Sequence, residues 1–148
     1  MKFEVIIKPN YLEPIVVIHT PKITPDVMAL IEMFDRSGVK PASLMVKKDE
    51  KLFIIEPEQI EIIRTEGGSI KLYDRQAQDY TSSKPLHEIQ DWLGSDFVRI
   101  SKSTIVNINR VDHISQSFNT SMHIKMKNGI SDYISRKYWM DFRKLFGL

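Results

Sequence analysis

The sequence contains no cysteine. A disulfide framework, a zinc–thiolate site, an iron–sulfur cluster and a thiol nucleophile are therefore excluded. Glycine is scarce, six in 148 residues, and no Gly-x-Gly-x-x-Gly, P-loop or Gly-x-Ser-x-Gly pattern occurs, so the usual nucleotide cradles and the nucleophile elbow are missing. Apolar runs such as Ile15–Ile18 fall far short of the ~20 residues that span a bilayer. The segment Met1–Lys8 is interrupted by charge and lacks the apolar core of a signal peptide, so a cytosolic, unanchored protein is expected. His19, His87, His113 and His123 lie in different stretches without ligand spacing and read as structural or solvated. Glu56, Glu58 and Glu61 beside Pro57 read as a solvated acidic turn and not as a catalytic pair. No enzyme, metal or cofactor is expected.

What is present is a globular composition, 42% apolar and 27% charged, with enough chain for one domain and a small appendage. The net charge of +2 conceals an asymmetry. Residues 97–148 carry nine Lys/Arg against three Asp, a net +6. Of the chain's 21 bases and 19 acids this leaves 12 and 16 in residues 1–96, a net −4. A basic final third suggests an anionic polymer as partner.

Residues 1–43 read as a β-β-α leader. Phe3, Val5 and Ile7 alternate with other residues, and Ile15–Ile18 forms a second apolar stretch beyond Asn10 and Pro14. Thr24-Pro25-Asp26 is a helix start, with a capping hydroxyl, a proline in the first turn and an acid at the positive end of the dipole. Val27, Leu30, Ile31 and Phe34 then share one helical face, and Ser37-Gly38 with Pro41 ends it. From residue 44 to 148 the pattern is short strands: 44–46, 52–55, 60–64, 70–73, 97–100, 105–108, 122–127 and 130–135. Gly67-Gly68 and Asn128-Gly129 read as hairpin turns, the latter of type I′. A helix with Leu86, Ile89, Trp92 and Leu93 on one face follows Ser82–Pro85 and stops at Gly94. A final helix, capped by Ser135, carries Tyr138, Trp139, Phe142, Leu145 and Phe146. The fold class expected is mainly β, α+β by content: an antiparallel β domain with two helices, preceded by the leader.

Two stretches carry chemistry. Ser101-Lys102-Ser103-Thr104 places hydroxyls and an amine between two strands. Such groups bind phosphate oxygens and base edges, although an ordinary polar loop has the same composition. Arg136 and Lys137 sit in the first turn of the last helix. Cations there oppose the helix dipole at a cost of a few tenths to about 1 kcal/mol. An anion at the helix start reverses that sign, because the free N–H groups and both cations then point at it. The alternative is two tolerated surface charges.

Phe97-Val98-Arg99-Ile100-Ser101-Lys102-Ser103-Thr104-Ile105-Val106-Asn107-Ile108-Asn109 resembles the signature of the LytTR DNA-binding domain, and Ile134-Ser135-Arg136-Lys137-Tyr138 resembles the start of that family's last helix. The resemblance covers about residues 44–148. Residues 1–43, with Ile18–Pro25 ahead of an apolar helix, are similar to the short leader of stand-alone, receiver-less LytTR regulators from Gram-positive bacteria. The resemblance implies a cytoplasmic transcriptional regulator that reads direct repeats in double-stranded promoter DNA with loops in successive major grooves. It places base contacts at Ser69 in the Gly67-Gly68-Ser69 turn, where the family often carries a longer side chain, and at Lys102 and Lys137. It places phosphate contacts at Lys71, Arg99, Ser101, Ser103, Ser135 and Arg136. Asn107, a family hallmark, is read as structural, its side chain satisfying a loop backbone group. As partners the resemblance implies a second copy on DNA, with the leader mediating dimerisation or contact with a regulator, and a small membrane-protein inhibitor.

The main rival is a protein-interaction module whose basic face meets an acidic partner. It predicts no DNA retention that weakens steadily with salt. An RNA reader would display stacking aromatics on a sheet, whereas Tyr138, Trp139 and Phe142 have core-like helical spacing. A hydrolase would need a convergent His–acid pair, and none can be placed.

Overall fold

The chain divides into two units, Met1–Val39 and Lys40–Leu148, and the computed structural model describes residues 5–7, 9–10, 16–36 and 43–147. In the first unit α1 spans Pro25–Arg36 with Asp26 in its first turn. Its start is capped as expected: the Val27 N–H donates to Thr24 Oγ1 at 3.4 Å and the Met28 N–H to the Thr24 carbonyl at 2.9 Å. Val27 is buried, and Leu30, Ile31 and Phe34 are half-buried. The two leader strands are not formed among the described residues. Val5–Ile7 and Val16–Ile18 have no strand pairing, and Ile7 is 88% exposed. Alternation supplies an apolar face but not the partner edge a strand needs. Phe3, Pro14 and Ile15, and the stop signal at Ser37, Gly38 and Pro41, lie outside the described residues.

The second unit is a succession of hairpins. β1 (Leu44–Lys48) pairs with β2 (Lys51–Ile55), and β3 (Ile60–Glu66) with β4 (Ser69–Asp74). Each pair is closed by a two-residue turn with both φ values positive, at Asp49-Glu50 and at Gly67-Gly68, the geometry that suits the twist of the flanking strands. β5 (Asp79–Ser82) precedes α2 (Leu86–Trp92), and β6 (Phe97–Ser101) pairs with β7 (Thr104–Asn107). β8 (Val111–Gln116), β9 (Met122–Met126) and β10 (Ser131–Ile134) lead to α3 (Arg136–Leu145). Seven strands form one antiparallel sheet in the order β2-β1-β5-β4-β3-β7-β6, and three form a second in the order β10-β9-β8. The mainly antiparallel fold with three helices agrees with the class read from the sequence.

The large sheet is buried on both faces at β3 and β7. Ile63 and Ile105 pack with Leu86 and Ile89 of α2 and with Leu93, which follows it. Their chain neighbours Ile62 and Val106 face the other way, against Ile124, Met126, Ile134 and Phe142. Adjacent strand residues point to opposite faces, so one apolar dipeptide on β3 and one on β7 feed two cores. Among the described residues no helix is long and apolar enough to cross a membrane.

Three elements differ from the sequence reading. Glu61 is not part of a solvated turn. Its exposure is 0%, while Glu56 and Glu58 are exposed. The β3–β4 register shifts between Ile60 and Ile62, and the displaced Glu61 carboxylate crosses to the second sheet. There it accepts from Arg110 Nε and Nη2, both at 2.7 Å, and from the Asn128 N–H at 2.8 Å. The Asn128-Gly129 turn is not type I′. Gly129 has φ +92° while Asn128 is not in the left-handed region, and the Gly129 N–H donates to the Met126 carbonyl. Lys127-Asn128-Gly129 is thus a three-residue connection, which turns Asn128 Nδ2 onto the Asp74 carbonyl at 2.8 Å. Finally, β5 and β8 are strands that their polar sequences conceal. β5 is held from both sides by β1 and β4, and β8 is interrupted by a register shift between Val111 and His113.

Removing Arg110 leaves the Glu61 carboxylate buried without its charge partner, a loss of about 3 kcal/mol. Urea denaturation of Arg110→Ala is expected to show that drop. A loss below about 0.5 kcal/mol, the range of an ordinary surface change, would contradict a structural role for the pair.

Candidate nucleic-acid interface

Three separated stretches meet at one end of the large sheet. The first is the β3–β4 tip. Ser69 is exposed and lies opposite Glu66, just beyond Gly67-Gly68. The second is the β6–β7 turn, which carries Lys102 and Ser103. It is joined to β3 by the Thr65 N–H, which donates to the Ser103 carbonyl at 2.9 Å. The third is the start of α3. The β6–β7 register shifts between Arg99 and Ser101. This takes Ile100 out of the ladder, and its carbonyl accepts from the Ser135 N–H at 2.9 Å. A bulge beside a functional loop re-aims the chain; here it also binds the turn to the helix.

Lys102 and Ser103 are exposed at the turn, and the Lys102 ammonium has no ion-pair partner among the described residues. Ser101 Oγ accepts from the Ser103 N–H at 3.2 Å and lies 3.3 Å from Ser103 Oγ. Arg99 is engaged internally: Nε donates to the Ser101 carbonyl at 3.2 Å, Nη2 to the Lys102 carbonyl at 2.8 Å, and Nη1 to Gln90 Oε1 at 3.2 Å.

Ser135 occupies the N-cap position of α3 in an extended conformation, but its side chain makes no capping hydrogen bond. Its carbonyl accepts from the Tyr138 and Trp139 N–H groups at 3.0 and 2.9 Å. Its hydroxyl therefore remains at a helix end whose first N–H groups have no intrahelical acceptor. Arg136 and Lys137 are exposed there, with Lys137 Nζ 5.7 Å from the centre of the Tyr138 ring. Phe142 is fully buried, and Trp139 stacks on it at 6.2 Å. Leu145 and Phe146, further along the same helix and just past it, stay about half exposed.

Lys71 stands apart from these cations because it is compensated. Its ammonium lies 3.0 Å from Asp79 Oδ2. The hydrogen bond to Asp79 raises the lysine pKa, and the same bond lowers that of Asp79. Sequence reading missed a neighbouring cluster. Arg64 bonds to Glu66 and donates to the Ser131 carbonyl at 3.2 Å. Its Nη1 lies 3.6 Å from Asp132 Oδ2, which also accepts from Thr104 Oγ1 at 2.9 Å. Tyr73 OH donates to Glu66, 2.8 Å from either oxygen. Burial, reinforced by that bond, raises the Tyr73 pKa and keeps the phenol protonated. The cluster engages the one acid of the β3–β4 tip, Glu66, with Arg64 and Tyr73. Its one signal in the sequence is that Arg64 and Glu66 share a strand face at i, i+2.

Asn107 does what was expected of it. Its Oδ1 accepts from the Asn109 N–H at 3.0 Å, and its Nδ2 donates to the Ile60 carbonyl at 3.2 Å. Among the described residues no group of three or more His, Asp or Glu could hold a metal ion.

A family model described as the LytTr DNA-binding domain matches residues 50–147. The sensory transduction protein LytT of Enterococcus faecalis is 24% identical over 121 residues, covering 81% of this chain and 50% of that protein. The transcriptional regulatory protein LytR of Staphylococcus aureus is 27% identical over 115 residues, covering 77% and 46%. LytT of Bacillus subtilis is 29% identical over 119 residues, covering 78% and 48%. The chain thus spans about half the length of these relatives. Among solved structures, the LytTr DNA-binding domain of a putative methyl-accepting/DNA response regulator from Bacillus cereus superposes with a TM-score of 0.66 at 22% identity, covering 73% of this chain and 99% of that one.

The Lys71–Asp79 pair makes a pH-dependent contribution to stability. Asp79 titrates below its unfolded value, so its share is present above the ordinary aspartate pKa of about 3.9 and is lost as pH falls through the depressed one. Lys71 titrates above its unfolded value, so its share is present below about 10.4 and is lost as pH rises through the raised one. Both groups are partly exposed, which limits the pair to under about 0.5 kcal/mol. Asp79→Asn is expected to lower stability slightly at about pH 7, and the difference is expected to shrink as pH falls through the depressed aspartate value. An effect that stays constant down the whole acid titration would contradict the pairing.

Proposed function

Since the family model covers residues 50–147, the chain belongs to the LytTR family of DNA-binding domains, and on that premise we propose that it is a sequence-specific regulator that reads direct repeats in double-stranded promoter DNA. The coarser statement, a DNA-binding domain of transcription regulators, is what the family and the relatives carry. The finer reading is supported above all by one observation: the exposed Lys102 turn and the Arg136-Lys137 helix start are tied together through the Ser135–Ile100 hydrogen bond.

In this reading Lys102 and Lys137 contact bases in the major groove, where an ammonium pairs best with guanine O6 and N7. Ser69 reaches a base edge or the adjacent backbone from the β3–β4 tip. Ser101, Ser103, Ser135 and Arg136 hold phosphates, the last two beside the N–H groups of α3. Lys71 joins them at the cost of sharing its charge with Asp79. Two copies occupy the two repeats. The first unit, which exposes Val5–Ile7, Val16, Val17, Met28 and Met33, is the surface offered to the second copy or to a restraining small membrane protein.

Binding measured by fluorescence anisotropy tests the assignment. Lys102→Ala and Lys137→Ala are each expected to cost about 1–3 kcal/mol on the preferred site and to relax preference at one base position. Arg136→Ala is expected to weaken all sequences alike and to lower the salt slope by about 1. Full sequence-selective binding by both lysine variants would overturn the assignment.

A further inference from the structure

An unpartnered lysine reads a base only if the backbone beneath it is held still. At the β6–β7 turn the Ser101 hydroxyl and the Thr65 N–H hold Ser103, and the carbonyl of Lys102 itself is held by one side chain, Arg99. The Arg99 guanidinium presents a rigid fork of donors, and two of its nitrogens bond to consecutive turn carbonyls, those of Ser101 and Lys102. Its remaining nitrogen bonds to Gln90 Oε1. Gln90 follows Ile89, which is fully buried and anchors α2 on the large sheet with Leu86 and Leu93. Each nitrogen of the fork thus makes one internal bond, three of its five N–H groups being used, and its orientation is set from α2.

The geometry points to Arg99 as a positioning residue for Lys102, latched by Gln90, and not as a phosphate anchor. α2, on the far face of the large sheet from α3, thereby becomes part of the reading apparatus. A lysine at position 99 would keep the charge but could not bond two turn carbonyls and Gln90 with a planar fork. A leucine at position 90 would remove the third bond without changing any charge. The inference rests on the reading of the turn as a DNA contact, so the test has one arm without DNA and one with it.

Without DNA, the ¹⁵N relaxation of Lys102 and Ser103 is compared in the wild-type chain, Arg99→Lys and Gln90→Leu, with urea midpoints confirming that each variant is folded. The latch predicts amides as ordered as those of β7 in the wild type and mobile amides in both variants. With DNA, both variants are expected to lose about tenfold in the ratio of preferred-site to random-sequence affinity, the lower end of what one base contact discriminates, at unchanged salt slope. Wild-type order at the turn in both variants would overturn the latch. So would a wild-type affinity ratio for Arg99→Lys combined with a salt slope lowered by about 1 in Arg99→Gln, the mark of a phosphate contact. Mobile amides in the variants together with no sequence preference in the wild-type chain would uphold the latch and overturn the DNA reading.

Discussion

The buried carboxylate of Glu61 is the constraint on which the arrangement of the second unit depends. It sits on β3, the strand that contributes to both cores, at a point where the ladder with β4 shifts register. A carboxylate with no exposure is costly unless its charge and both oxygens are satisfied. Its partners, Arg110 and the Asn128 N–H, belong to the chain that enters β8 and to the β9–β10 hairpin. The charge can therefore be accommodated only when the second sheet is docked in one register on the first. Apolar contacts between Ile62, Val106, Ile124 and Phe142 supply most of the attraction, but they are non-directional. The ion pair selects among the ways of making them.

The second bulge, at Ile100, uses the same device at the opposite end of the seam. A carbonyl released from one ladder is satisfied by an N–H from the other sheet's extension. Buried backbone groups must find partners, so an interrupted strand pair becomes a cross-link. Here the cross-link joins the Lys102 turn to the Arg136-Lys137 helix start. The basic final third is accordingly far from uniform. Arg99 and Arg110 are committed to internal acceptors, whereas Lys102, Arg136 and Lys137 stand exposed at one end. Net charge over a segment says little about a binding surface; what matters is which cations the fold leaves uncompensated.

Much of this was legible in the sequence because it depends on local chemistry. Thr24-Pro25-Asp26 starts a helix, Gly67-Gly68 closes a hairpin, and Asn107 bonds its own loop, since each acts within a few residues. The Lys102 and Arg136-Lys137 stretches could be singled out by residue type, but their adjacency depends on a bulge about which Ile100 itself says nothing. Glu61 was misread for a related reason. Beside Glu56, Glu58 and Pro57 it looks solvated, and its burial is decided by Arg110 and Asn128, 49 and 67 residues away. The Asn128-Gly129 turn follows a different geometry from its dipeptide's usual one because Asn128 also serves Glu61 and Asp74. The leader strands show the reverse error, since alternating apolar residues around Val5 and the apolar run at Val16–Ile18 promise strands but cannot supply the edge they need.

In the proposed reading the two sheets are locked in register so that the Lys102 turn and the α3 start read DNA as one surface. The most direct test is selection of bound sites from random duplex DNA by the purified chain. Enrichment of a short motif repeated in direct orientation, with spacing near one helical turn, is the predicted result. Recovery of DNA without any enriched sequence would contradict it.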